Sequence, residues 1–352
     1  MKPLFLVTTH LLLAVAMSLP GLAAGESESD KQIAALTNKL DRIIIPEDTI
    51  PGETLEECIE YLRVRSRELD KEPDPTKRGV NFVIIGSAEH KRGGRIGLPL
   101  KNVPLSEVVR GETDLCGMSF VIEPHAMVIH PAKYSMINPV PKYKFPSSLE
   151  LRLARQLIPT VQFQDALVEE AVEYLRISRG CLDESAITPA QPQHINIILK
   201  AGAFPAPPTF SLDLKNVPRG EALRYIAELA GLKLRFHAHA VVISPVDDAL
   251  DAPILIESKG IAKALADKLI IPKIEFQNAT LRDAIDFVRI KSRELDPDKK
   301  GTQITVGPGV ELTRTIDLTL KSMPASELLR YCAALTGHRL SVDDRAFNMR
   351  PK

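Results

Sequence analysis

The chain has 352 residues, of which 44% are hydrophobic and 26% charged, an ordinary composition for a soluble globular protein. Lys plus Arg and Asp plus Glu both number 45, so the net charge is zero and no basic surplus points to nucleic acid. Aromatic residues make up 5% and Trp is absent, which argues against a platform on which bases stack.

The first residues have the pattern of an export signal. Lys2 supplies the positive end, Leu4 to Met17 is largely apolar, Ser18-Leu19-Pro20 breaks the run, and Gly21-Leu22-Ala23-Ala24 offers small residues for cleavage. A signal peptide over 1–24 and a mature protein in the periplasm, or otherwise exported, are therefore expected. An uncleaved N-terminal anchor is the alternative. The run is short and interrupted by Thr8, Thr9 and His10, and no other stretch is long and apolar enough to span a bilayer.

Beyond the signal the sequence repeats. Pro46, Pro159 and Pro272 recur at a constant spacing of 113 residues, within Ile44-Ile45-Pro46, Leu157-Ile158-Pro159 and Ile270-Ile271-Pro272. Tyr61-Leu62-Arg63-Val64 returns at the same spacing as Tyr174-Leu175-Arg176-Ile177 and Phe287-Val288-Arg289-Ile290. Three modules are expected at 39–131, 152–245 and 265–351, joined by linkers at 132–151 and 246–264.

Each module opens on its Ile-Pro block. Val161-Gln162-Phe163 and Ile274-Glu275-Phe276 continue as alternating strands, a pattern degraded in the first copy at Asp48-Thr49-Ile50-Pro51. A helix follows, its apolar face formed by Leu55, Cys58, Ile59 and Leu62, then by Val168, Ala171, Val172 and Leu175, then by Leu281, Ala284, Ile285 and Val288. Thr54 and Thr280 stand where N-caps belong. After a polar loop (Arg67-Glu68-Leu69-Asp70, Arg293-Glu294-Leu295-Asp296) come short β-rich runs at 81–85, 195–199 and 303–306.

Strict alternation then marks Ile96, Leu98 and Leu100, with Phe210, Leu212 and Leu214 and Ile316, Leu318 and Leu320 as counterparts. Each of these strands runs into Lys101-Asn102-Val103-Pro104, Lys215-Asn216-Val217-Pro218 or Lys321-Ser322-Met323-Pro324, with the Pro expected in the first turn of a second helix. Gly117, Gly231 and Gly337 close that helix, and a β-hairpin ends each module. The expected fold class is α+β: three tandem two-layer β-α-β-β-α-β-β modules, with one sheet and both helices on one of its faces.

Leu212-Asp213-Leu214-Lys215-Asn216-Val217-Pro218, then Glu221-Ala222-Leu223 and Leu229-Ala230-Gly231-Leu232, resembles the secretin/TonB short N-terminal (STN) domain. Copies one and three keep the frame, so the likeness covers most of 40–351, although its motifs are packing motifs. The resemblance implies an envelope compartment and protein–protein contacts. No secretin domain or receptor barrel follows the repeats, so pore and receptor functions are not carried over.

Chemistry-bearing constellations are sparse. His237-Ala238-His239 is the one metal-like pair, and it falls where the other copies have Glu123-Pro124-His125 and Asp343-Asp344-Arg345, at a hairpin turn without a third ligand. Gly93-Gly94 and Gly307-Pro308-Gly309 lack the Lys-Ser/Thr of a phosphate loop. Glu107, Glu221 and Glu327 sit in first helical turns, where they complement the helix dipole.

Cys58 and Cys332 occupy core positions, Cys116 ends a helix and Cys181 lies in a polar loop. A Cys58–Cys116 bridge is left open. No catalytic, cofactor-binding or metal residue is assigned, and no cofactor is expected. The expectation is a non-enzymatic exported protein whose modules bind envelope proteins. A self-assembling homo-oligomer is the alternative, and a hydrolase with a cleft between modules comes third.

Overall fold

The recurring proline is explained by the register of the strands around it. In the computed structural model of the protein, Ile158 pairs with Val217 and Thr160 with Lys215, which sets Pro159 opposite Asn216. The same register sets Pro272 opposite Ser322 and Pro46 opposite Asn102. Asn102, Asn216 and Ser322 all have left-handed backbones, with φ of 55°, 48° and 50°. A left-handed residue interrupts the ladder, and a proline facing it has no N–H to leave unpaired.

The structure describes residues 27–46, 48–49, 54–86, 99–100, 102–140, 148–178, 181–182, 195–200, 209–248, 254–257 and 260–351. The expected signal peptide, Gly93-Gly94, Lys101 and the alternating Ile96 and Leu98 lie outside them. The architecture is α+β, with nine helices among the described residues. These are α1 (Glu28–Arg42), α2 (Leu55–Leu69), α3 (Leu105–Leu115), α4 (Ser148–Arg155), α5 (Val168–Ile177), α6 (Arg219–Leu229), α7 (Ile261–Lys268), α8 (Leu281–Leu295) and α9 (Ala325–Leu335). They fall into three stretches of three, referred to below as the first, second and third units.

The strands of each unit divide between two small sheets, where the sequence suggests one. In the second unit Gln156–Leu167 pairs antiparallel with Thr209–Pro218. A separate sheet orders Ile197–Leu199, Val241–Ser244 and Lys233–Phe236, its first pairing parallel and its second antiparallel. The third unit repeats this with Ile270–Thr280 on Thr315–Pro324 and with Ile304–Val306, Phe347–Pro351 and His338–Val342. Leu255–Ile256 adds a parallel strand at the outer edge of that last sheet. In the first unit the described part of the antiparallel pair is Ile44–Ile45 on Val103–Pro104 and Asp48–Thr49 on Pro99–Leu100. Its other sheet, Phe82–Ile84, Met127–Pro131 and Met118–Ile122, is intact.

A leading helix in each unit is the main element the periodicity reading missed. Leu36 and Leu40 of α1, Leu149 and Leu153 of α4, and Ala262 and Ala266 of α7 turn inward at equivalent positions. The Asp41 carboxylate of α1 accepts from Ser106 Oγ at 2.6 Å, and Asp267 of α7 accepts from Ser326. The second unit has Ala154 and Gly220 in those places. A Cβ on Gly220 would lie 3.4 Å from Leu153 Cβ, so the glycine leaves α4 and α6 in close contact where the other units have the hydrogen bond.

The helix faces read from the sequence are buried as expected. Thr54 and Thr280 are N-caps in full capping boxes with Glu57 and Asp283. Pro104, Pro218 and Pro324 are themselves the N-caps of α3, α6 and α9, one residue earlier than expected, with φ of −56° in each.

The near-identical loops after α2 and α8 have a packing cause. Ser66 and Ser292 Oγ accept from Val80 and Thr302 N–H. Asp70 accepts from Glu72 and Gly79 N–H, and Asp296 from Asp298, Lys300 and Gly301 N–H. Position 181, expected in a loop, instead forms a two-residue strand with Leu182 against Gln156–Leu157.

Three hydrophobic cores result, and two of them are shared between units. Phe82, Met127 and Ile129 face the first core, while Val83, Ile85, Ala126 and Val128 on the other side of the same sheet enter the second. Ile197, Val241 and Ile243 face the second core, while Ile198, Ala240 and Val242 enter the third. A sheet buried on both faces explains why its strands read as short continuous apolar runs.

Candidate protein-interaction surfaces

The polar groups with the most specific geometry lie where consecutive units meet. Asn81, just before the edge strand Phe82–Ile84 of the first unit, is hydrogen-bonded through its side-chain amide to the backbone of Lys215. Its Nδ2 donates to Lys215 O at 3.0 Å and its Oδ1 accepts from Lys215 N–H at 2.9 Å. Asn196 makes the same pair of bonds to Lys321, both at 2.8 Å. Each amide also donates to the hairpin turn of its own unit, at His125 O or His239 O, both 3.0 Å. A side-chain amide thus supplies one rung of β-type pairing between units.

Beside it, an Arg-Tyr pair on the second unit meets the hairpin turn of the first. Arg224 is fully buried and donates from Nη1 to Glu123 Oε1 at 3.3 Å and to Asn138 O at 2.8 Å, while Nη2 donates to Glu123 Oε2. Its Nε donates to Glu221 at 2.8 Å, and its guanidinium lies 4.4 Å from the Tyr225 ring centroid. Burial alone would lower the Arg224 pKa. The neighbouring Glu221 and Glu123 carboxylates outweigh it and hold the guanidinium charged.

Arg330 and Tyr331 occupy the same positions at the second junction, with the guanidinium 4.2 Å from the ring. Here His237 stands where Glu123 does, and its Nδ1 lies 3.0 Å from both Arg330 Nη2 and Tyr331 Oη. Arg330 can only donate, so Nδ1 is the acceptor in that contact.

The tempting histidine pair is therefore split in role. His237 is engaged with Arg330 and Tyr331, while His239 is exposed on the turn. Among the described residues no group of three or more His, Cys, Asp or Glu side chains is placed to hold a metal ion. Glu221 and Glu327, read as dipole partners, also bind Arg224 and Arg330 on their own helices. The segment 132–138, read as extended linker, is fastened to α6: Glu228 accepts from Tyr134 Oη and from the N–H of Ile137 and Asn138.

Grooves open along both junctions. One of 740 Å³ is lined by His237, His239, Asp267, Ile270, Glu327 and Arg330 among others, and one of 390 Å³ by His125, Ala154, Leu157 and Glu221 among others. His125 and His239, Ala154 and Asp267, Leu157 and Ile270, and Glu221 and Glu327 are equivalent positions, so the two grooves are copies with altered chemistry.

Cys58, Cys116 and Cys332 are free thiols. Burial, with Glu112 nearby, pushes Cys58 up to about 12 and raises Cys116, and burial pushes Cys332 up to about 12. None is poised as a thiolate.

Most residues that recur in all three units have a structural task. Arg63, Arg176 and Arg289 donate from Nη2 to Phe82 O, Ile197 O and Ile304 O at 3.3, 2.9 and 2.7 Å, tying α2, α5 and α8 each to the edge strand that follows it. Tyr174 and Phe287 pack edge-on against Phe163 and Phe276.

The next recurring position is different. Val64, Ile177 and Ile290 are aliphatic in every unit and are 44%, 70% and 57% exposed. An adjacent ion pair flanks each: Glu60 with Arg63, Glu173 with Arg176, and Asp286 with Arg289. Exposure leaves little packing energy to keep these positions apolar.

Sequence reasoning missed Asn81, Asn196 and the Arg-Tyr pairs. Their signal was present in the repeat, since Arg-Tyr returns at Arg224-Tyr225 and Arg330-Tyr331, and Asn at 81 and 196. No family model matches the chain, and no curated protein or solved structure matches it significantly. No described helix is long and apolar enough to cross a membrane.

Proposed function

We propose that the protein is a non-enzymatic, exported adaptor that holds protein partners in the cell envelope through surfaces repeated along its three units. One observation carries this reading: the aliphatic position at Val64, Ile177 and Ile290 stays apolar and exposed in all three units. An exposed aliphatic side chain flanked by an ion pair suits a protein surface with its own apolar centre and polar rim. Three such points on one chain raise avidity for a partner that is itself repetitive. The STN-like motifs and the signal-like N-terminus support an envelope location for these contacts.

The test places a photo-crosslinking amino acid at 64, 177 or 290 of the chain in intact cells. The expected result is the same partner captured from all three positions and lost when the other two are changed to Asp. Adducts with no reproducible protein, or with one position alone, overturn the repeated-surface reading.

A further inference from the structure

Two junctions built from the same parts define what a unit needs in order to join the next. The donor unit supplies an Asn amide and apolar residues on the outer face of its three-stranded sheet: Asn81, Val83 and Val128, then Asn196, Ile198 and Val242. The acceptor unit supplies a buried Arg-Tyr pair, Arg224-Tyr225 or Arg330-Tyr331. A corresponding donor-side face lies on the third unit and a corresponding acceptor-side face on the first, and among the described residues neither has a partner unit. A junction of this head-to-tail kind joins unlike faces, so if the two end faces matched, copies would add to one another in a ring or an open fibre.

The end faces do not match. On the third unit Gln303 stands for the Asn, Thr305 for Val83 and Ile198, and Asn348 for Val128 and Val242. Gln303 is longer by one methylene and its Nε2 donates to Lys300 O at 3.1 Å within its own loop. Thr305 Oγ1 donates to Phe347 O at 3.3 Å and to Asn348, and Asn348 Nδ2 donates to Asp343 at 3.1 Å. The outer face is thus polar and internally satisfied, while the inner face of the same strands, with Ile304, Phe347 and Met349, stays in the third core. On the first unit Gly111 replaces the tyrosine, and Arg110 is half exposed and pairs with Glu107 of its own helix. A contact between such faces would bury hydroxyl and amide groups against apolar surface and lack the aromatic that fills both internal junctions.

We propose that both end faces are closed to the junction that joins the units internally, so that one copy of the chain does not continue into another. Terminal units of stacked arrays carry a polar outer face for the same physical reason. Repeated partners then meet these three units along their sides.

Sedimentation velocity on the exported chain tests this without any partner, so the outcome is independent of the adaptor reading. The wild type is expected to hold the mass of one chain as concentration rises. Restoring both faces, with Gly111→Tyr at one end and Gln303→Asn, Thr305→Ile and Asn348→Val at the other, is expected to make the mass climb with concentration. Because the four changes together risk misfolding, each end is also restored alone. The two single-ended proteins are expected to remain single chains apart and to form one-to-one pairs when mixed. Pairs that fail to form between folded single-ended proteins overturn the proposal, as does concentration-dependent growth of the wild type that Thr305→Asp abolishes.

Discussion

Glu112 is the residue most at odds with its surroundings. It is fully buried in α3 where the other units have Ile226 and Cys332, and neither carboxylate oxygen has a hydrogen-bond partner. Burial pushes its pKa from 4.5 to about 7. A carboxyl whose pKa is higher folded than unfolded is bound to its proton more tightly in the fold. Its stabilising effect is complete below pH 4.5 and is lost as pH rises through 7. The first unit is therefore expected to weaken between pH 5 and 8 by an amount on the order of 3 kcal/mol, the free-energy equivalent of that shift. Glu112→Ile, which restores the side chain found in the second unit, is expected to abolish this dependence and raise stability at pH 8. Urea unfolding at both pH values, followed by hydrogen exchange in α3, checks it. An unchanged pH profile in the variant would mean that water reaches the carboxylate. The anomaly was visible in the sequence as Glu in an otherwise apolar helix position, but a lone Glu there reads equally as solvent-facing until its burial is known.

At the scale of elements, the pairing of a proline with a left-handed residue is the feature the repeat marks most clearly. Ser322 has φ of 50° opposite Pro272, and its side chain is exposed, so its conformation matters more than its contacts. Ser322→Gly is expected to be neutral or to stabilise the third unit slightly, because glycine enters the left-handed region freely. Ser322→Val is expected to cost about 1–2 kcal/mol, since a β-branched residue there meets the strain of the left-handed backbone. Thermal unfolding of the two variants against wild type decides it, and equal melting points would show that the left-handed backbone at 322 relaxes at no cost. The helices α2, α5 and α8 were legible because their apolar faces recur at i, i+3, i+4 and i+7. The leading helices were not. Ala262 and Ala266 carry too little hydrophobic contrast, and α4 and α7 have only eight residues each. The division into two sheets was illegible for a different reason: alternation fixes which way a side chain points, but not which strand lies beside it.

For the whole molecule the shared cores decide how the units behave together. The three-stranded sheet of one unit is the wall of the next core, so separating two units exposes apolar surface on both sides. The first junction adds a buried ion pair in which Arg224 also serves Asn138 O and Glu221. Removing one member of such a pair leaves the other charge buried without its counter-ion, typically at a cost of about 3–5 kcal/mol. Glu123→Ala is expected to lie at the lower end of that range, because Glu221 still compensates part of the charge on Arg224. The loss falls on the junction and not on either helical layer. Its signature is therefore a change in cooperativity: the first unit unfolds ahead of the second and third instead of with them. The double change Glu123→Leu with Arg224→Leu replaces the pair by apolar bulk and is expected to recover much of the coupling. Hydrogen exchange resolved by unit, over a urea series, measures this directly. One transition shared by all three units in Glu123→Ala would assign the coupling to the shared apolar sheet alone, with the ion pair setting only which faces recognise each other.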